Sequence, residues 1–476
     1  MDLWLLLPEF IVLFTAFAIW ALDWFTPEHR KPQLGWLAAL GVLVAAGFTF
    51  PLWGRNQDIL LDLLRIDDFA VFFKLLFLGM VFFVVSASPA YARRNLRHVG
   101  EYYGIALVTV AGAMFLASSR ELITAYISLE LVSFGFYALA SYAKFDLRSS
   151  EAGAKYIILG ALSSAILLYG LSLVFGAVQT THFDLIAERI AAARDLGPLV
   201  PVGLAMVVAG LGFKVAAVPF HLWTPDVYEG APLPITAYIS VASKTAGFVL
   251  LLRLFAEAFA PVADDWRVAI GVLAVLSMTI GNLVAMHQSN IKRLLAYSSI
   301  AQSGYVLVGA AILTGPTSTG MMLQLTAFTV TNLAAFLTAV YFHNVTGGET
   351  LDDYAGLARR HLPMALSLTV ALFSLAGLPL FAGFVTKFYL FQAVAQTGMW
   401  WLVAFAIGNS IVSVYYYLRP VRAMFVVEPK EPGRLRVPLD ARLIMAVLVG
   451  AVIWLGVYPG PLVSVAETAA RSLIGG

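Results

Sequence analysis

Long apolar runs, separated by short polar stretches, follow one another along almost the whole chain. A helix needs about 20 mainly apolar residues to cross the hydrocarbon core of a membrane. Measured against that length, the pattern predicts fourteen membrane-spanning helices. They lie near residues 3–22, 34–53, 69–89, 101–118, 121–142, 154–177, 199–218, 233–259, 267–286, 294–313, 319–342, 363–395, 399–425 and 441–459.

The composition supports an all-α polytopic membrane protein. Of the 476 residues, 60% are hydrophobic and 12% are charged, and the mean hydropathy is +0.84, whereas a soluble domain has about 25% charged residues. The first run has neither a basic leader nor a small-residue cleavage site, so we interpret it as a retained first span. More polar stretches near residues 185–193 and 351–361 are predicted to lie at the membrane interface.

The residue types that the sequence lacks restrict its chemistry. There is no cysteine, which excludes disulfides, Cys-ligated iron–sulfur clusters and haem attachment through Cys-x-x-Cys-His. The sequence has no glycine-rich phosphate loop, metal-ligand cluster or nucleophile triad, so we expect no cofactor and no metal in this chain. Any redox chemistry that it serves must occur in another subunit. The net charge of +2 gives no signal for nucleic-acid binding.

The Lys and Arg residues of the loops predict the orientation. With the N-terminus outside, loops after odd-numbered spans hold 17 basic residues and the opposite loops hold 7. Because basic residues concentrate in cytoplasmic loops, both termini are predicted to lie outside. The cytoplasmic set is Arg30, Lys31, Arg93, Arg94, Arg97, Lys144, Arg148, Lys155, Lys292, Arg293, Arg359, Arg360, Arg419, Arg422, Lys430, Arg434 and Arg436. The outer set is Arg55, Arg65, Arg120, Arg189, Arg194, Arg267 and Arg471.

The seventh and twelfth predicted spans are both interrupted by glycine and proline, and both carry a lysine. One reads "GLGFKVAAVPFHLW", with Lys214 before Pro219, and the other reads "SLAGLPLFAGFVTKFYLF", with Pro379 before Lys387. They lie five spans apart, and this odd offset would make two repeated units antiparallel. Paired broken helices in an inverted repeat indicate a transport site near the membrane midplane.

Four ionisable residues fall well inside predicted spans: Glu130, Lys214, Lys244 and Lys387. At a lipid-exposed helix centre each would cost about 2.5–3.5 kcal/mol, so we expect these side chains to face the interior of the bundle. A proline removes a backbone hydrogen bond and frees a carbonyl, and freed groups can hold water beside a lysine. The pattern therefore predicts hydrated polar points at mid-membrane depth.

These residues also have simpler interpretations. The three lysines could snorkel toward an interface, although the helix breaks disfavour this for Lys214 and Lys387. Glu130 could be a structural counter-ion, with Lys214 as its partner. His221 follows the first break and could relay protons or satisfy a turn, and the sequence slightly favours the turn.

Three other charged residues near span ends have no predicted part in transport. Lys74, in "FFKLLFLGM", is expected to snorkel to the membrane surface. Arg253 is expected to be structural. Glu9 lies near the outer end of the first span and is expected to be solvated.

Three stretches together resemble the antiporter-like membrane subunits of NADH:quinone oxidoreductase, respiratory complex I. They read "LGFKVAAVPFHLWTPDVYEGAPLPITAYISVASKTAGF", "NIKRLLAYSSIAQSGYVLVG" and "SLAGLPLFAGFVTKFYLF", and the resemblance covers essentially the whole chain. Among these subunits it is greatest to subunit N. The fifth span reads "SLELVSFGFYALASY", where subunit M and the Mrp-type antiporter subunit typically carry a Trp-Glu pair, and Lys387 replaces a glutamate expected in subunit M. Subunit L would add a long lateral helix.

The resemblance implies roles for the buried residues. Glu130 and Lys214 match the family's ion pair, Lys244 matches its central lysine, and Lys387 matches its terminal lysine. It also implies two inverted five-helix units, spans four to eight and nine to thirteen. The implied divisions are an N-terminal three-helix segment, 1–100, the two repeats, 101–259 and 266–426, and a C-terminal helix and tail, 441–476.

One position departs from the family pattern. Many relatives have a histidine in the tenth span where this chain has Gln302. Because glutamine does not titrate, a proton passing from Lys244 to Lys387 would need water, oriented by Gln302, Ser299 and Tyr305.

The resemblance implies a proton-translocating subunit in the bacterial cytoplasmic (inner) membrane. Electron transfer from NADH to quinone would take place in other subunits, which are expected to hold NADH, FMN, iron–sulfur clusters and quinone. The implied partners are other complex I membrane subunits, among them a neighbouring antiporter-like subunit, together with the lipid bilayer, protons and water. A carboxylate near a buried lysine favours its charged form, so movement of Glu130 relative to Lys214 could drive a proton toward Lys244 and Lys387.

Two other functions remain open from the sequence. A sodium or potassium/proton antiporter subunit outside complex I would share the buried charges, although the fifth-span motif differs. A non-pumping scaffold would use the charges only for packing and would tolerate replacement of Lys387. A direct quinone site is a weaker alternative, since no distinctive quinone motif occurs in the sequence.

Overall fold

The computed structural model describes residues 3–193, 197–430 and 433–474, and Arg194 of the outer basic set lies outside this part of the chain. Helices joined by short loops form almost all of it, which confirms the all-α class. The helices are α1 (Leu7–Phe25), α2 (Leu34–Thr49), α3 (Asp68–Ala87), α4 (Pro89–Asn95), α5 (Val99–Ser118), α6 (Leu122–Ala140), α7 (Leu147–Val178), α8 (Phe183–Ala192), α9 (Leu199–Lys214), α10 (Trp223–Gly230), α11 (Leu233–Tyr238), α12 (Lys244–Arg253), α13 (Ala263–Ala285), α14 (Ile291–Ala310), α15 (Gly315–Thr346), α16 (Leu357–Arg360), α17 (Leu362–Ala376), α18 (Ala382–Ala395), α19 (Trp400–Phe425), α20 (Leu439–Val457) and α21 (Gly460–Ile474).

Eleven helices within the described residues are long and apolar enough to cross a membrane. Each coincides with one of the predicted spans, so the multi-pass architecture is confirmed. Of the other three predicted spans, 199–218 coincides with α9, 294–313 with α14, and 363–395 with the pair of shorter helices α17 and α18. The number fourteen and the inverted repeat stay predictions.

The polar stretches contain short elements. The stretch near 185–193 forms α8, and the stretch near 351–361 contains a 3₁₀ turn, Leu351–Tyr354, followed by α16. A two-stranded antiparallel hairpin, β1 (Gln57–Ile59) and β2 (Leu64–Ile66), follows α2. The amphipathic helix α21 lies beyond the last predicted span and packs against α3 and α15.

Two expectations about charged residues are wrong. Lys74 does not snorkel and Glu9 is not solvated: the Lys74 ammonium lies 2.7 Å from the Glu9 carboxylate, and both side chains are fully buried. The reason is that α1 and α3 bring the two residues together inside the bundle, where each neutralises the other. A buried charge is tolerated when it has such a partner.

Arg253 has the structural environment expected of it. Its guanidinium donates to both carboxylate oxygens of Asp67 at 2.8 Å and to Glu257 at 2.6 Å. Asp67 also caps α3 by accepting a hydrogen bond from the Ala70 amide. This buried pair therefore ties the end of α12 to the start of α3.

The first predicted helix break lies between α9 and α10. Helix α9 ends at Lys214, and the chain runs through eight non-helical residues before α10 begins at Trp223. Side chains satisfy some of the released backbone groups: the Ser277 hydroxyl accepts from the Val218 amide at 2.9 Å, and the Trp223 indole donates to the Phe213 carbonyl at 3.0 Å. Side-chain hydrogen bonds therefore stabilise the break inside the bundle core.

The second predicted break lies between α17 and α18. Gly377 ends α17 in the left-handed region, with φ +82°, which glycine adopts without steric cost. On the far side, α20 covers the break closely. A Cβ on Gly456 would lie 2.3 Å from the Leu380 carbonyl oxygen, so only glycine permits this approach.

A wide helical turn separates α11 from α12. Residues Ile239–Ser243 form a π-helical turn, which ends immediately before Lys244. Its Ser240 hydroxyl accepts a hydrogen bond from the Asn332 amide of α15 at 2.8 Å. Single π-turns of this kind are frequent at functional sites.

Candidate functional site

Lys214 and Glu130 form an ion pair next to the first helix break. The Lys214 side chain is buried, and its ammonium donates to the Glu130 carboxylate at 3.1 Å, to Ser133 at 2.7 Å and to Ser164 at 3.0 Å. The Ser164 hydroxyl also donates to Glu130 at 2.6 Å. Helix α6 supplies Glu130 and Ser133 one turn apart, α7 supplies Ser164, and the last residue of α9 supplies the amine.

The two members of this pair differ in exposure. The Glu130 side chain is 13% exposed, whereas that of Lys214 is 5% exposed. The carboxylate thus lies nearer the surface formed by α6 and α7, and the amine lies nearer the core.

Lys244 lies deepest of the predicted site residues. It is 1% exposed, and its ammonium donates to the Ser299 hydroxyl of α14 at 2.6 Å. It also lies 5.9 Å from the centre of the Tyr228 ring of α10. Its described hydrogen bond is to a neutral group, so it differs from Lys214 in having no bonded carboxylate there.

Lys387 binds a carbonyl that the second break sets free. Its ammonium donates to the Leu375 carbonyl at 2.9 Å and to the Ser410 hydroxyl at 3.3 Å. Leu375 lies in the last turn of α17, whose carbonyls have no intrahelical donor, and Pro379 beyond the helix has no N–H to offer. The freed oxygen can therefore accept from the lysine, which also lies 4.3 Å from the Tyr305 ring.

Gln302 bonds to the same carbonyl oxygen. Its amide nitrogen donates to Leu375 at 2.9 Å and to the Tyr417 hydroxyl at 3.4 Å. Its amide oxygen accepts from Gln324 at 3.2 Å, and the Gln324 oxygen accepts from Thr386 at 2.7 Å. Gln302 is thus joined to the environment of Lys387, next to Thr386 in the chain.

The polar groups extend along α14 from Lys244 toward Lys387. Ser299 is three residues before Gln302 on this helix, and Ser298 lies 2.5 Å from the Tyr417 hydroxyl that Gln302 also contacts. Between Lys214 and Lys244 the helices pack tightly. A Cβ on Gly247 would lie 3.2 Å from the Lys214 Cβ, which places α12 directly against the end of α9.

His221 occupies the first break. It lies in the non-helical segment between α9 and α10, and its buried Nδ1 atom has no hydrogen-bond partner among the described residues. The structure therefore gives it no direct bond to the other predicted site residues through that atom. In the described chain no group of three or more His, Cys, Asp or Glu side chains is arranged to hold a metal ion.

Several neutral groups of the site were not singled out from the sequence. They are Ser133, Ser164, Gln324, Thr386, Tyr417 and the Leu375 carbonyl. A serine or threonine within an apolar run is common and gives no signal by itself. Only the Leu375 carbonyl has a sequence signal, because the glycine and proline that interrupt this span leave nearby helical carbonyls without a backbone donor.

This chain is similar to known membrane subunits over its whole length. The profile of the family described as NADH:quinone oxidoreductase/Mrp antiporter, TM, matches residues 119–413, a range that contains every predicted site residue. The NADH-quinone oxidoreductase subunit N of Desulforamulus reducens is 44% identical over 472 residues, which are 99% of this chain and 98% of that protein.

Two solved structures extend the comparison. A chain of respiratory complex I from Thermus thermophilus matches with a TM-score of 0.81 at 30% identity, over 96% of this chain and 98% of that chain. A chain of the Mrp complex from Dietzia sp. matches with a TM-score of 0.88 at 22% identity, over 100% of this chain and 98% of that chain. The second likeness is one of fold alone.

Proposed function

The chain belongs to the NADH:quinone oxidoreductase/Mrp antiporter family, and we propose that it works as the N-type proton-translocating membrane subunit of an NADH:quinone oxidoreductase. It couples electron transfer from NADH to quinone to proton movement. NADH, FMN, iron–sulfur clusters and quinone are held by other subunits, and none by this chain. As a translocase subunit it thus contributes transport and no redox step of its own.

One observation supports this proposal most strongly: three buried lysines each donate a hydrogen bond to a polar group inside the bundle. Lys214 has Glu130 as a counter-ion, Lys244 has Ser299, and Lys387 has the Leu375 carbonyl. A packing role would be better served by apolar residues, since burying charges without function is costly. The three lysines have different partners, and of the three only Lys214 is bonded to a carboxylate. We therefore assign it the first step of the proposed transfer.

The proposed cycle starts at the ion pair. While Glu130 lies beside Lys214, the ammonium form is favoured; when the carboxylate moves away, the buried amine releases its proton toward Lys244. From Lys244 the proton passes along Ser299 and Gln302, with water, to Lys387. A tenfold change in proton affinity corresponds to about 1.4 kcal/mol, and moving one charge through 100 mV takes about 2.3 kcal/mol. A change in proton affinity of a few powers of ten would therefore suffice.

The membrane placement is part of the same proposal. We place the chain in a bacterial cytoplasmic membrane with both termini outside, because the loops predicted to face inward carry most of the basic residues. A neighbouring antiporter-like subunit is its proposed partner, and residues 101–259 and 266–426 are its proposed inverted repeats. His221 is proposed as a relay or water-orienting residue at the first break, where its buried Nδ1 atom has no hydrogen-bond partner among the described residues.

Replacement of Lys387 by methionine tests the function. Met keeps the length of the side chain but cannot carry a proton, so the number of protons pumped per NADH oxidised should fall while the complex stays assembled. The measurement is acidification of inverted membrane vesicles, normalised to complex content. The control is Lys430→Met at an exposed lysine. An unchanged proton ratio in Lys387→Met would favour the scaffold alternative.

A cation/proton antiporter outside complex I is the second candidate, because the matching family description includes the Mrp antiporter. Under that function, vesicles containing the purified complex would exchange Na⁺ or K⁺ for protons without NADH. Under the first function, proton movement requires NADH and quinone and is independent of these cations. Exchange driven by a sodium gradient alone would therefore contradict the complex I assignment.

A further inference from the structure

A basic pocket lies at one end of the bundle, away from the buried lysines. It has a volume of about 580 Å³ and is formed by the α4–α5 and α6–α7 junctions. The Tyr142 hydroxyl donates to the His98 carbonyl at 2.6 Å and so holds the two junctions together. Its charged lining residues are Arg94, Arg97, Lys144, Glu101 and Asp146.

The three cations of this pocket are exposed, and none is in an ion pair with a carboxylate of the described chain. Arg94 donates to the Asn344 carbonyl, which leaves its charge uncompensated. The Arg97 guanidinium lies 4.3 Å from the centre of the Phe145 ring, and the Lys144 ammonium lies 5.9 Å from the same ring. Two cations thus converge on one aromatic side chain from separate loops.

The rim of the pocket is strongly apolar. Phe145 is 70% exposed and the neighbouring Leu147 is 86% exposed. Beside a helix end that enters a bilayer, such side chains contact acyl chains, while the adjacent cations lie at the depth of the headgroups. Exposed apolar side chains directly next to unpaired cations match a molecule that has an anionic head and hydrocarbon tails.

Two carboxylates also line the pocket, and their positions limit where an anion can bind. The Asp146 carboxylate is occupied in capping α7, since it accepts from the Arg148 amide at 2.9 Å. Glu101 is exposed in the first turn of α5 and would repel an anion. The phosphate must therefore sit toward Arg94, Arg97 and Lys144.

We propose that this pocket binds the phosphate of an anionic phospholipid, with Arg97 and Lys144 contacting the phosphate oxygens and Phe145 and Leu147 contacting the acyl chains. Basic pockets between membrane helices are known to select anionic headgroups. A free phosphate shares the headgroup chemistry, but it would leave Phe145 and Leu147 without an apolar partner.

The test measures lipid retained by the purified complex. The complex is exchanged into micelles containing equal amounts of phosphatidylglycerol and phosphatidylcholine, and the bound lipid is counted by native mass spectrometry. Phosphatidylglycerol should be retained preferentially, and each of Arg97→Gln and Lys144→Gln should weaken its retention roughly fivefold. Glu101→Gln should strengthen retention, an effect that a purely structural pocket would not produce.

The matched control is the double variant Arg434→Gln/Arg436→Gln, which removes two exposed cations elsewhere and should leave retention unchanged. Equal retention in wild type, Arg97→Gln and Lys144→Gln would overturn the proposal. So would loss of a neighbouring subunit from these variants with no change in lipid, because the pocket would then be a protein interface. Displacement of the lipid by inorganic phosphate at equal concentration would show a free-anion site instead. If Arg97→Gln does not assemble, the lipid retention of Lys144→Gln and Glu101→Gln still tests the proposal, because both of these residues are exposed.

Discussion

Gln302 shows how a neutral amide can control a buried lysine. The Leu375 carbonyl has two lone pairs, and Gln302 and Lys387 each bond to it. When Lys387 releases its proton, the Gln302 bond remains, so the carbonyl is never left without a donor in the membrane interior. The orientation of the amide is set from the other side, because Gln324 donates to its oxygen.

This arrangement makes Gln324 a positioning residue, and Gln324→Leu should slow proton transfer. Without its donor the Gln302 amide can turn its oxygen toward Leu375, and a penalty of about 1 kcal/mol in the transfer barrier slows the step roughly fivefold. The measurement is the rate of NADH-driven proton pumping per assembled complex, across a range of pH. The matched control is Thr326→Val on the same helix, whose hydroxyl bonds only to Met322 within the described contacts. Equal losses in both variants would show a general packing defect.

The two broken helices place their lysines differently. Lys214 ends the helix before the first break, whereas Lys387 is the sixth residue of the helix after the second break. Each break nevertheless interrupts the backbone hydrogen bonds of a helix close to its lysine. At the second break, Gly377 ends α17, so the Leu375 carbonyl in its last turn has no intrahelical donor and can accept from Lys387.

Restoring the amide at the second break should therefore weaken the site. Pro379→Ala would allow α17 to extend past Gly377, and the new N–H at residue 379 would then compete with Lys387 and Gln302 for the Leu375 carbonyl. We expect a lower proton ratio per NADH with assembly retained. The control is Pro363→Ala in the first turn of α17, where the missing N–H frees no helical carbonyl. Normal pumping by Pro379→Ala would mean that the freed carbonyl is not required.

At the scale of the whole molecule, the sequence predicts buried charged residues better than it predicts buried neutral polar residues. The buried positions of Lys214, Lys244 and Lys387 could be predicted because a charge inside a long apolar run is costly and therefore conspicuous. Gln324 and Tyr417 could not, because neutral polar residues occur in many spans without a role. The Lys74–Glu9 pair was misjudged for a related reason: depth along one helix does not reveal which residue a neighbouring helix supplies. Helix α21 is amphipathic, and because it has no long apolar run, the hydrophobic pattern does not predict it.

The number of spans has a consequence that labelling can measure. Fourteen crossings put both termini on one side of the membrane, whereas eleven, the number of long apolar helices, would put them on opposite sides. The native chain has no cysteine, so a single introduced cysteine reports its own location. In intact cells a membrane-impermeant maleimide should label Arg55→Cys and Ser464→Cys, and it should label Arg30→Cys only after permeabilisation. All three positions are exposed, and the unlabelled native chain is the control. Protection of Ser464→Cys in intact cells would contradict the even count, and with it the crossing of the membrane by both broken helices and α14.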